Sequence, residues 1–481
     1  MQQLNENALL SGNLFQDEAR FRAIFDRCDD IVFRSFLMFD NVEGLAVFMD
    51  GMVDEQRIDT ELLKPLMSCS QPEPSWLQDN DLMSWLCCKV LSSEKVDIVT
   101  RFDQAVEALL SGAMFLLVHG SPGALAIGIA SFKTRSVEEP ATEPVIRGPR
   151  DGFIESLQVN LTLIRRRLKT PQLKSEFLQA GLLSRTQLAI MYIDGIVRPD
   201  LVNEVKSRIR KTQLSTVLES GYIEELIADN RYSIFPQVMT TERPDRAAAA
   251  LAEGRVVIMV DNTPFSLVAP ASFFEMLQSS EDYNQNYMIA TATRWLRLWL
   301  SFSALVFPSL YIAITTMHQE MLPESLLLSI AASREAVPFP AIVEAFIMEL
   351  AFEGLREAGI RLPRPVGQAI SIVGALVIGQ AAVQAGLVSA SLVIVVSFTG
   401  IASFIFPSYS QGLSIRFLRF PLMIVAGTLG LYGILIALLG LLVHLSKLRT
   451  FGEPYFAPFS PIDLKSLRDA ILRIPWWKRA K

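Results

Sequence analysis

The chain shows two different patterns of apolar and polar positions, and the change comes near residue 290. Before it, apolar runs are short, rich in β-branched or aromatic residues and closed by Gly, Asn or Pro, which indicates buried strands. Amphipathic segments lie between them: residues 199–210 begin with Pro and place four apolar residues on one face, as in a helix. After residue 297 the apolar stretches approach the ~20 residues that span a bilayer. The pattern predicts an α/β soluble N-terminal region followed by an α-helical multi-pass transmembrane domain.

The soluble region carries its pattern twice. LAVFMDGMV at 45–53 resembles LAIMYIDGIV at 188–197, and GAMFLLVHGSP at 112–122 resembles GRVVIMVDNTP at 254–264. From the Asp of each Asp-Gly turn to the Gly that opens the later run there are 62 residues in one copy and 60 in the other, and such a recurrence of order and spacing is typical of a duplicated unit. The expected organisation is subdomain 1 at 1–132, a linker at 133–150, subdomain 2 at 151–290, a transmembrane domain at 291–446 and a basic tail at 447–481.

Apolar segments in the second half predict several membrane crossings. Arg294, Trp295, Arg297 and Trp299 surround the start of the first segment, and basic and aromatic residues together indicate its cytoplasmic end. The chain must then return across the membrane between residues 316 and 366. Five crossings would place the tail, of net charge +5, outside, against the positive-inside tendency, unless one span is re-entrant; the side of the tail is left open. The expected spans are residues 298–316, 366–386, 389–407 and 420–445, with 323–359 supplying the return.

The return segment carries ionisable residues at membrane depth. Pro338 and Pro340 would break it into two shorter helices. The second piece has a polar stripe, and each charged group at membrane depth costs roughly 2.5–3.5 kcal/mol unless it meets a partner or water. One interpretation is a stripe that lines a cation-favouring aqueous path, with Ile360 at a narrowing. The alternative is an interfacial helix whose charges lie in the headgroups or pair internally, Glu353 with Arg356 or Glu357. The stripe candidates are Glu344, Glu349, Glu353, Arg356, Glu357 and Ile360.

Composition argues against several other classes of function. The chain has a net charge of -6, most of it in an acidic soluble region, which disfavours nucleic acid as a partner. The three histidines are scattered and the four cysteines lie in the first 90 residues with no zinc spacing, so no metal or other cofactor is expected. No nucleophile elbow or phosphate-binding glycine loop occurs. The N-terminus lacks the pattern of a signal peptide. The expectation is therefore a protein that is not an enzyme, with its N-terminal domain in the cytoplasm.

Several long sequence blocks resemble the A subunits of the GerA family of spore germinant receptors. The resemblance runs from about residue 145 to the end and is weaker over residues 1–130. Its specific blocks are RGPRDGFIES (147–156), NLTLIRRR (160–167), DNRYSIFPQ (229–237), TERPD (241–245), SREAVPFPAIVEA (333–345), LREAGIRLPRPVGQ (355–368), VIGQAAVQAGLVS (377–389) and FGEPYFAPFSP (451–461).

The resemblance implies a location, partners and an activity. The location would be the inner membrane of a bacterial endospore, and the partners would be a permease-like B subunit and a lipoprotein C subunit. Copies of the chain would form a homo-oligomeric ring, with a pentamer as the expected form, that conducts ions when a nutrient opens it. Two alternatives stay open: a scaffold or signalling subunit that carries no ions, and the stage V sporulation AF paralogue, which assists germination.

The resemblance also gives roles to residues in two soluble loops. Arg150, Asp151 and Glu155 would lie in the connection between the two soluble copies. Arg243 and Asp245 would form a structural ion pair and turn, or else an inter-subunit contact that couples the soluble ring to the pore.

Overall fold

A computed structural model describes residues 9–38, 42–68, 82–91, 95–130, 139–140, 142–361 and 379–479 of the chain. The chain divides into two compact units. Unit 1 comprises residues 1–231 and 238–270, and unit 2 comprises residues 232–237 and 271–481. The division at residue 270 comes earlier than the expected boundary at 290, and six residues of the soluble region belong to the helical unit.

Unit 1 contains two five-stranded antiparallel sheets, one in each subdomain. The strand order is β1-β2-β4-β5-β3 in the first sheet and β6-β7-β9-β10-β8 in the second, so each strand has a counterpart in the same place. The strands are β1 Ile31–Met38, β2 Val42–Met49, β3 Val96–Val99, β4 Met114–Val118, β5 Ala124–Ile127, β6 Leu173–Ala180, β7 Thr186–Ile193, β8 Met239–Thr241, β9 Val256–Val260 and β10 Ser266–Ala269.

The helices of unit 1 repeat in the same way. An 11-residue helix precedes each sheet, α1 (Leu14–Ile24) and α3 (Leu157–Arg167). A 9-residue helix precedes the fourth strand of each sheet, α2 (Phe102–Leu110) and α6 (Pro244–Ala252). The duplication predicted from the sequence is therefore confirmed. The remaining helices are the short turns Glu55–Arg57, Ile58–Leu63, Lys64–Ser68, Leu82–Trp85 and Leu86–Val90 in subdomain 1, and α4 (Pro199–Arg210) and α5 (Ser220–Ile227) in subdomain 2.

The first sheet is covered on both faces, which explains its continuous apolar strands. Because successive side chains of a strand point to opposite faces, Leu45 and Val47 pack with α1 and α2, whereas Ala46 and Phe48 pack with the helical turns after β2. A buried network then joins the two subdomains. Arg165 of α3 donates from Nε to Asp30 at 2.7 Å, and its side chain is 2% exposed.

Unit 2 is helical. Its helices are α7 Tyr287–Thr316, α8 Glu324–Arg334, α9 Ala341–Arg361, α10 Ala390–Ala402, α11 Tyr409–Lys447, α12 Leu464–Ile471 and α13 Trp476–Arg479, with short turns at Glu275–Leu277, Glu281–Asn284, Gln319–Met321 and Ser403–Ile405 and a small hairpin of β11 (Arg449–Thr450) and β12 (Glu453–Pro454). Pro338 and Pro340 lie between α8 and α9. Residues 379–384 are also helical; most of the expected span 366–386 lies outside the described residues.

Helix α11 is a helical hairpin rather than one straight helix. Gly430 has φ 61° and ψ −143°, which is not helical. A Cβ placed on Gly433 would lie 2.6 Å from the carbonyl oxygen of Val425, whereas a rise of ~1.5 Å per residue would separate these positions by about 12 Å along a straight helix. The two legs, 409–429 and 431–447, therefore run antiparallel. The single span expected at 420–445 is replaced by two legs that meet at Gly430.

Among the described residues, two helices are long and apolar enough to cross a membrane, α7 and α11, and a shorter apolar stretch covers Ala390–Ile405. Helix α7 begins well before the expected residue 298. Arg294 and Arg297 lie in its N-terminal half, where their side chains point inward and pair with Asp282 at 3.0 Å each.

Candidate functional site

The polar stripe of α9 is bound on the inside of unit 2 by arginines of other helices. At the start of α9, Glu344 is 0% exposed. Its carboxylate accepts from Arg334 of α8 at 3.1 Å and from the backbone N–H of Ser389 at 3.1 Å. The carboxylate thus joins α9 both to α8 and to the N-terminus of α10.

Glu349 forms the deepest pair of the stripe. Its carboxylate is 0% exposed and pairs with Arg419 on the first leg of α11, which is 1% exposed. The hydroxyl of Thr399 on α10 approaches the other carboxylate oxygen at 3.4 Å. The Nε and Nη2 atoms of Arg419 have no hydrogen-bond partner among the described residues, so the single carboxylate is the main group that offsets the desolvation of this guanidinium.

Glu353 lies one turn further along and bridges two arginines. Arg356 is 3.2 Å from one carboxylate oxygen, and Arg416 of α11 is 3.4 Å from the other. The guanidinium of Arg356 also lies 4.9 Å from the ring centroids of both Phe352 and Phe404. The internal pair of Glu353 with Arg356, one of the pairings named under the interfacial alternative, is thus present.

The end of α9 differs from the rest of the stripe. Glu357 pairs with Arg361 at 2.6 Å, and both side chains are largely exposed. The side chain of Ile360 lies outside the part that the structure describes. Helix α9 therefore has a buried, charge-paired side and an exposed side, where Val343, Ile347 and Leu350 are 38–59% exposed.

The sequence reasoning identified the glutamates but missed most of their partners. Arginines just before an apolar stretch ordinarily indicate a cytoplasmic loop, but Arg416 and Arg419 lie inside α11 and are 7% and 1% exposed. Their spacing of three residues places both on one helix face. Basic residues on one face of an apolar helix, matched by an acidic stripe elsewhere in the same domain, are the signal that could have revealed the pairing.

A cavity of about 890 Å³ lies beside α9 and α10. Its lining is mostly apolar, and its polar members include Arg356, Gln380 and Gln384. The described residues contain no group of three or more His, Cys, Asp or Glu side chains placed to hold a metal ion.

The loop candidates of unit 1 make contacts within the subunit. Arg243 is 1% exposed; it pairs with Asp245 at 2.8 Å and donates to the carbonyl oxygen of Pro149 at 2.9 Å. Asp151 pairs with Arg167. Arg243 therefore fixes the end of the linker to subdomain 2, and a further role at a subunit interface stays a prediction.

The two other loop candidates are less tightly bound. The backbone oxygen of Glu155 accepts from Asn262 at 2.9 Å, and the side chain of Arg150 is 66% exposed, 4.0 Å from Glu139.

One carboxyl of subdomain 2 has a strongly shifted pKa. Burial, together with the nearby charge of Glu219, raises the pKa of Glu224 to about 7. Burial opposes the ionisation of Glu219, but the hydrogen bonds that its carboxylate accepts from Ser220, Gly221 and Thr263 outweigh this effect and lower its pKa. Glu224 therefore exchanges its proton near neutral pH.

Comparison with known proteins gives matches over almost the entire chain. Residues 19–481 match the profile of the family described as Bacillus/Clostridium GerA spore germination protein. Relatives from Bacillus subtilis (strain 168) include spore germination protein KA, 42% identical over 100% of this chain and 88% of that protein. Spore germination protein A1 is 41% identical over 93% of this chain and 91% of that protein. The uncharacterized membrane protein YfkQ is 44% identical over 98% and 91%, respectively.

The chain is also similar to a solved structure. It is the crystal structure of the N-terminal domain of the A subunit of the Bacillus megaterium spore germinant receptor GerK3, with a TM-score of 0.44 and 30% identity over 56% of this chain and 98% of that one.

Proposed function

Because the chain belongs to the GerA family of spore germination proteins, we propose that it is the A subunit of a nutrient germinant receptor in the spore inner membrane. Copies of the chain form a ring, with a pentamer as the expected form, that conducts ions when it opens. A permease-like B subunit and a lipoprotein C subunit complete the receptor, and the N-terminal domain lies in the cytoplasm.

The pair of Glu349 with Arg419 is the observation that supports ion conduction most directly. The tip of the hairpin at Gly430 lies beside His318, just beyond the end of α7. Arg419 is eleven residues before that tip, about 16 Å along a helix, and so lies near the middle of a ~30 Å hydrocarbon layer. Ionisable groups at that depth are costly and usually belong to a path for ions or protons.

The ion pairs also indicate how a path could close and open. In this conformation Glu344, Glu349 and Glu353 are each paired with arginine, so their charges are neutralised. A shift of α9 against α11 would separate Glu349 and Glu353 from their partners and present carboxylates to water. Germinant binding that favours this arrangement would shift the equilibrium to the open state.

The same pairing favours a second candidate, a subunit that carries no ions and holds its partners together. Glu344 and Glu349 are 0% exposed, as expected if they serve only to fix the helices.

Ion flux through liposomes that contain the purified chain separates the two candidates. Under the channel proposal, Ile360→Ala widens the narrowing and increases flux, and Glu353→Gln changes cation flux at least several-fold. Glu320→Gln is the matched control, since Glu320 is exposed and forms no part of the stripe. Flux equal to that of empty liposomes for all correctly assembled variants would contradict conduction by this chain alone and favour the scaffold.

A further inference from the structure

Aromatic and basic side chains gather at the end of unit 2 where α7 begins and the tail lies. The ring of Trp477 packs edge-on against Tyr287, with centroids 5.5 Å apart. The ring of Trp476 packs against Tyr283 at 6.1 Å. Both tryptophans nevertheless remain 56–67% exposed. Tryptophan is typical of positions where one part of the ring contacts an apolar environment and the other contacts water.

Buried contacts hold the tail in this place. Arg473 is 4% exposed and donates to the carbonyl oxygen of Tyr283 at 3.2 Å. The hydroxyl of Tyr283 in turn donates to Asp469 of α12 at 3.3 Å. The backbone N–H of Arg473 donates to the hydroxyl of Thr291 on α7 at 3.1 Å. These contacts fix the segment that carries the two exposed tryptophans.

The length of α7 indicates where this surface lies relative to the bilayer. Its 30 residues extend about 45 Å, which matches the ~40–45 Å of a bilayer with its headgroups. Its exposed face is apolar from the start, since Met288, Ile289, Trp295 and Trp299 are all more than half exposed. Tyr287, and Trp477 beside it, therefore lie at the level of the headgroups.

The charge at this end is positive. Residues 472–481 include four basic residues and no acidic one. Lys478 is exposed, and its side chain forms no ion pair within the described part of the chain.

We propose that the tail surface, made of Trp476, Trp477 and Lys478, binds anionic phospholipid headgroups of the leaflet at which α7 begins. The indole rings occupy the headgroup layer, and the side chain of Lys478 contacts lipid phosphates. The surface thereby anchors the base of α7 to the lipid.

Hydrogen exchange of the full chain in nanodiscs tests this binding. One set of discs contains phosphatidylcholine alone, and the other has roughly a third of its lipid replaced by phosphatidylglycerol, whose negative charge attracts basic side chains. Amides of residues 472–479 should exchange several-fold more slowly in the anionic discs, and high salt should remove the difference. Lys478→Glu should reduce the difference by about fivefold or more, since each basic residue near the surface is worth ~1 kcal/mol.

Lys211→Glu is the matched control, because Lys211 is an exposed basic residue of unit 1 and should leave the exchange of 472–479 unchanged. Lys478→Gln removes the charge without adding the opposite one; it tests the same contact if Lys478→Glu disturbs the fold of the tail, and it should reduce the difference less than Lys478→Glu does. Equal exchange in the two lipids, or an equal effect of Lys211→Glu and Lys478→Glu, would overturn the proposal whatever the conductance of the chain.

Discussion

At the scale of single residues, the pair of Glu349 with Arg419 makes the strongest prediction. Arg419→Met leaves a carboxylate that is 0% exposed without its cation, and breaking a buried pair in this way costs about 3–5 kcal/mol. The double variant Glu349→Leu/Arg419→Met removes both charges and should recover most of that loss. Thermal unfolding of the purified chain in detergent, for both single variants and the double variant, measures the coupling.

The pair at the end of α9 provides the control for that cycle. Arg361 and Glu357 are 77% and 60% exposed, and exposed pairs contribute only about 0–1 kcal/mol. Arg361→Met should therefore leave the unfolding temperature nearly unchanged. A double variant at 349 and 419 that is no more stable than Arg419→Met would mean that the pair is not coupled as the geometry requires.

The sequence predicted one half of this site. Glu349 and Glu353 stood out because acidic residues in an apolar segment break its pattern. Their partners did not, because Arg419 is 70 residues from Glu349 in the chain and an arginine near the end of an apolar stretch has an ordinary explanation as a topology marker. Pairing across that distance depends on how α9 and α11 pack.

At the scale of elements, the hairpin of α11 depends on one backbone position. Gly430 has φ 61° with ψ −143°, a conformation in which a side chain is strained by about 1–3 kcal/mol. A Cβ there would also lie 2.5 Å from Cε1 of His318. Gly430→Ala should therefore lower the free energy of unfolding in detergent by at least this strain, about 1–3 kcal/mol, or reduce the yield of folded protein.

Gly440→Ala is the matched control within the same helix. A Cβ on Gly440 meets nothing within 4 Å, and Ala is favoured over Gly inside a helix by about 1 kcal/mol. This variant should be as stable as the wild type or more so. Equal stability of the two alanine variants would argue against a reversal at residue 430.

Elements with a clear period were predicted well, and the hairpin was not. The helix expected at 199–210 is present as Pro199–Arg210, with Leu201, Val202, Val205 and Ile209 buried, because one apolar face specifies both the type and the limits of a helix. Residues 420–445 are apolar all round, so no period marks a turn. Gly430 is one of four glycines between residues 427 and 440, and nothing local distinguishes it.

At the scale of the whole molecule, the duplication could be predicted because each copy repeats its strand and turn signals at matching intervals. The assignment of residues 232–237 to unit 2 could not. Phe235 packs there with Leu445, Leu448 and Tyr455, and Ser233 shares a hydrogen bond of 3.0 Å with His444. These contacts join residues some 210 positions apart in the chain, so no local sequence pattern predicts them.

The hairpin of α11 gives a prediction for the side of the membrane on which the tail lies. The hairpin returns the chain towards the start of α7: Gly430, at its tip, lies beside His318 beyond the end of α7, whereas Asp469, which follows its second leg, lies 3.9 Å from Arg294 near the start of α7. If α7 crosses the membrane, the basic tail returns to the side on which α7 begins, in agreement with the positive-inside tendency.

Cysteine labelling in intact cells, with the native cysteines replaced by serine, tests that topology. Glu320→Cys, in the turn after α7, should react with a maleimide that cannot cross membranes. Lys478→Cys, which is also exposed, should react only after the cells are opened. Labelling of Lys478→Cys in intact cells would mean that the two legs of α11 do not cross as a pair. Reaction of both positions only after lysis would instead place the end of α7 inside and contradict its crossing, because a single membrane-spanning helix must present its two ends to opposite sides.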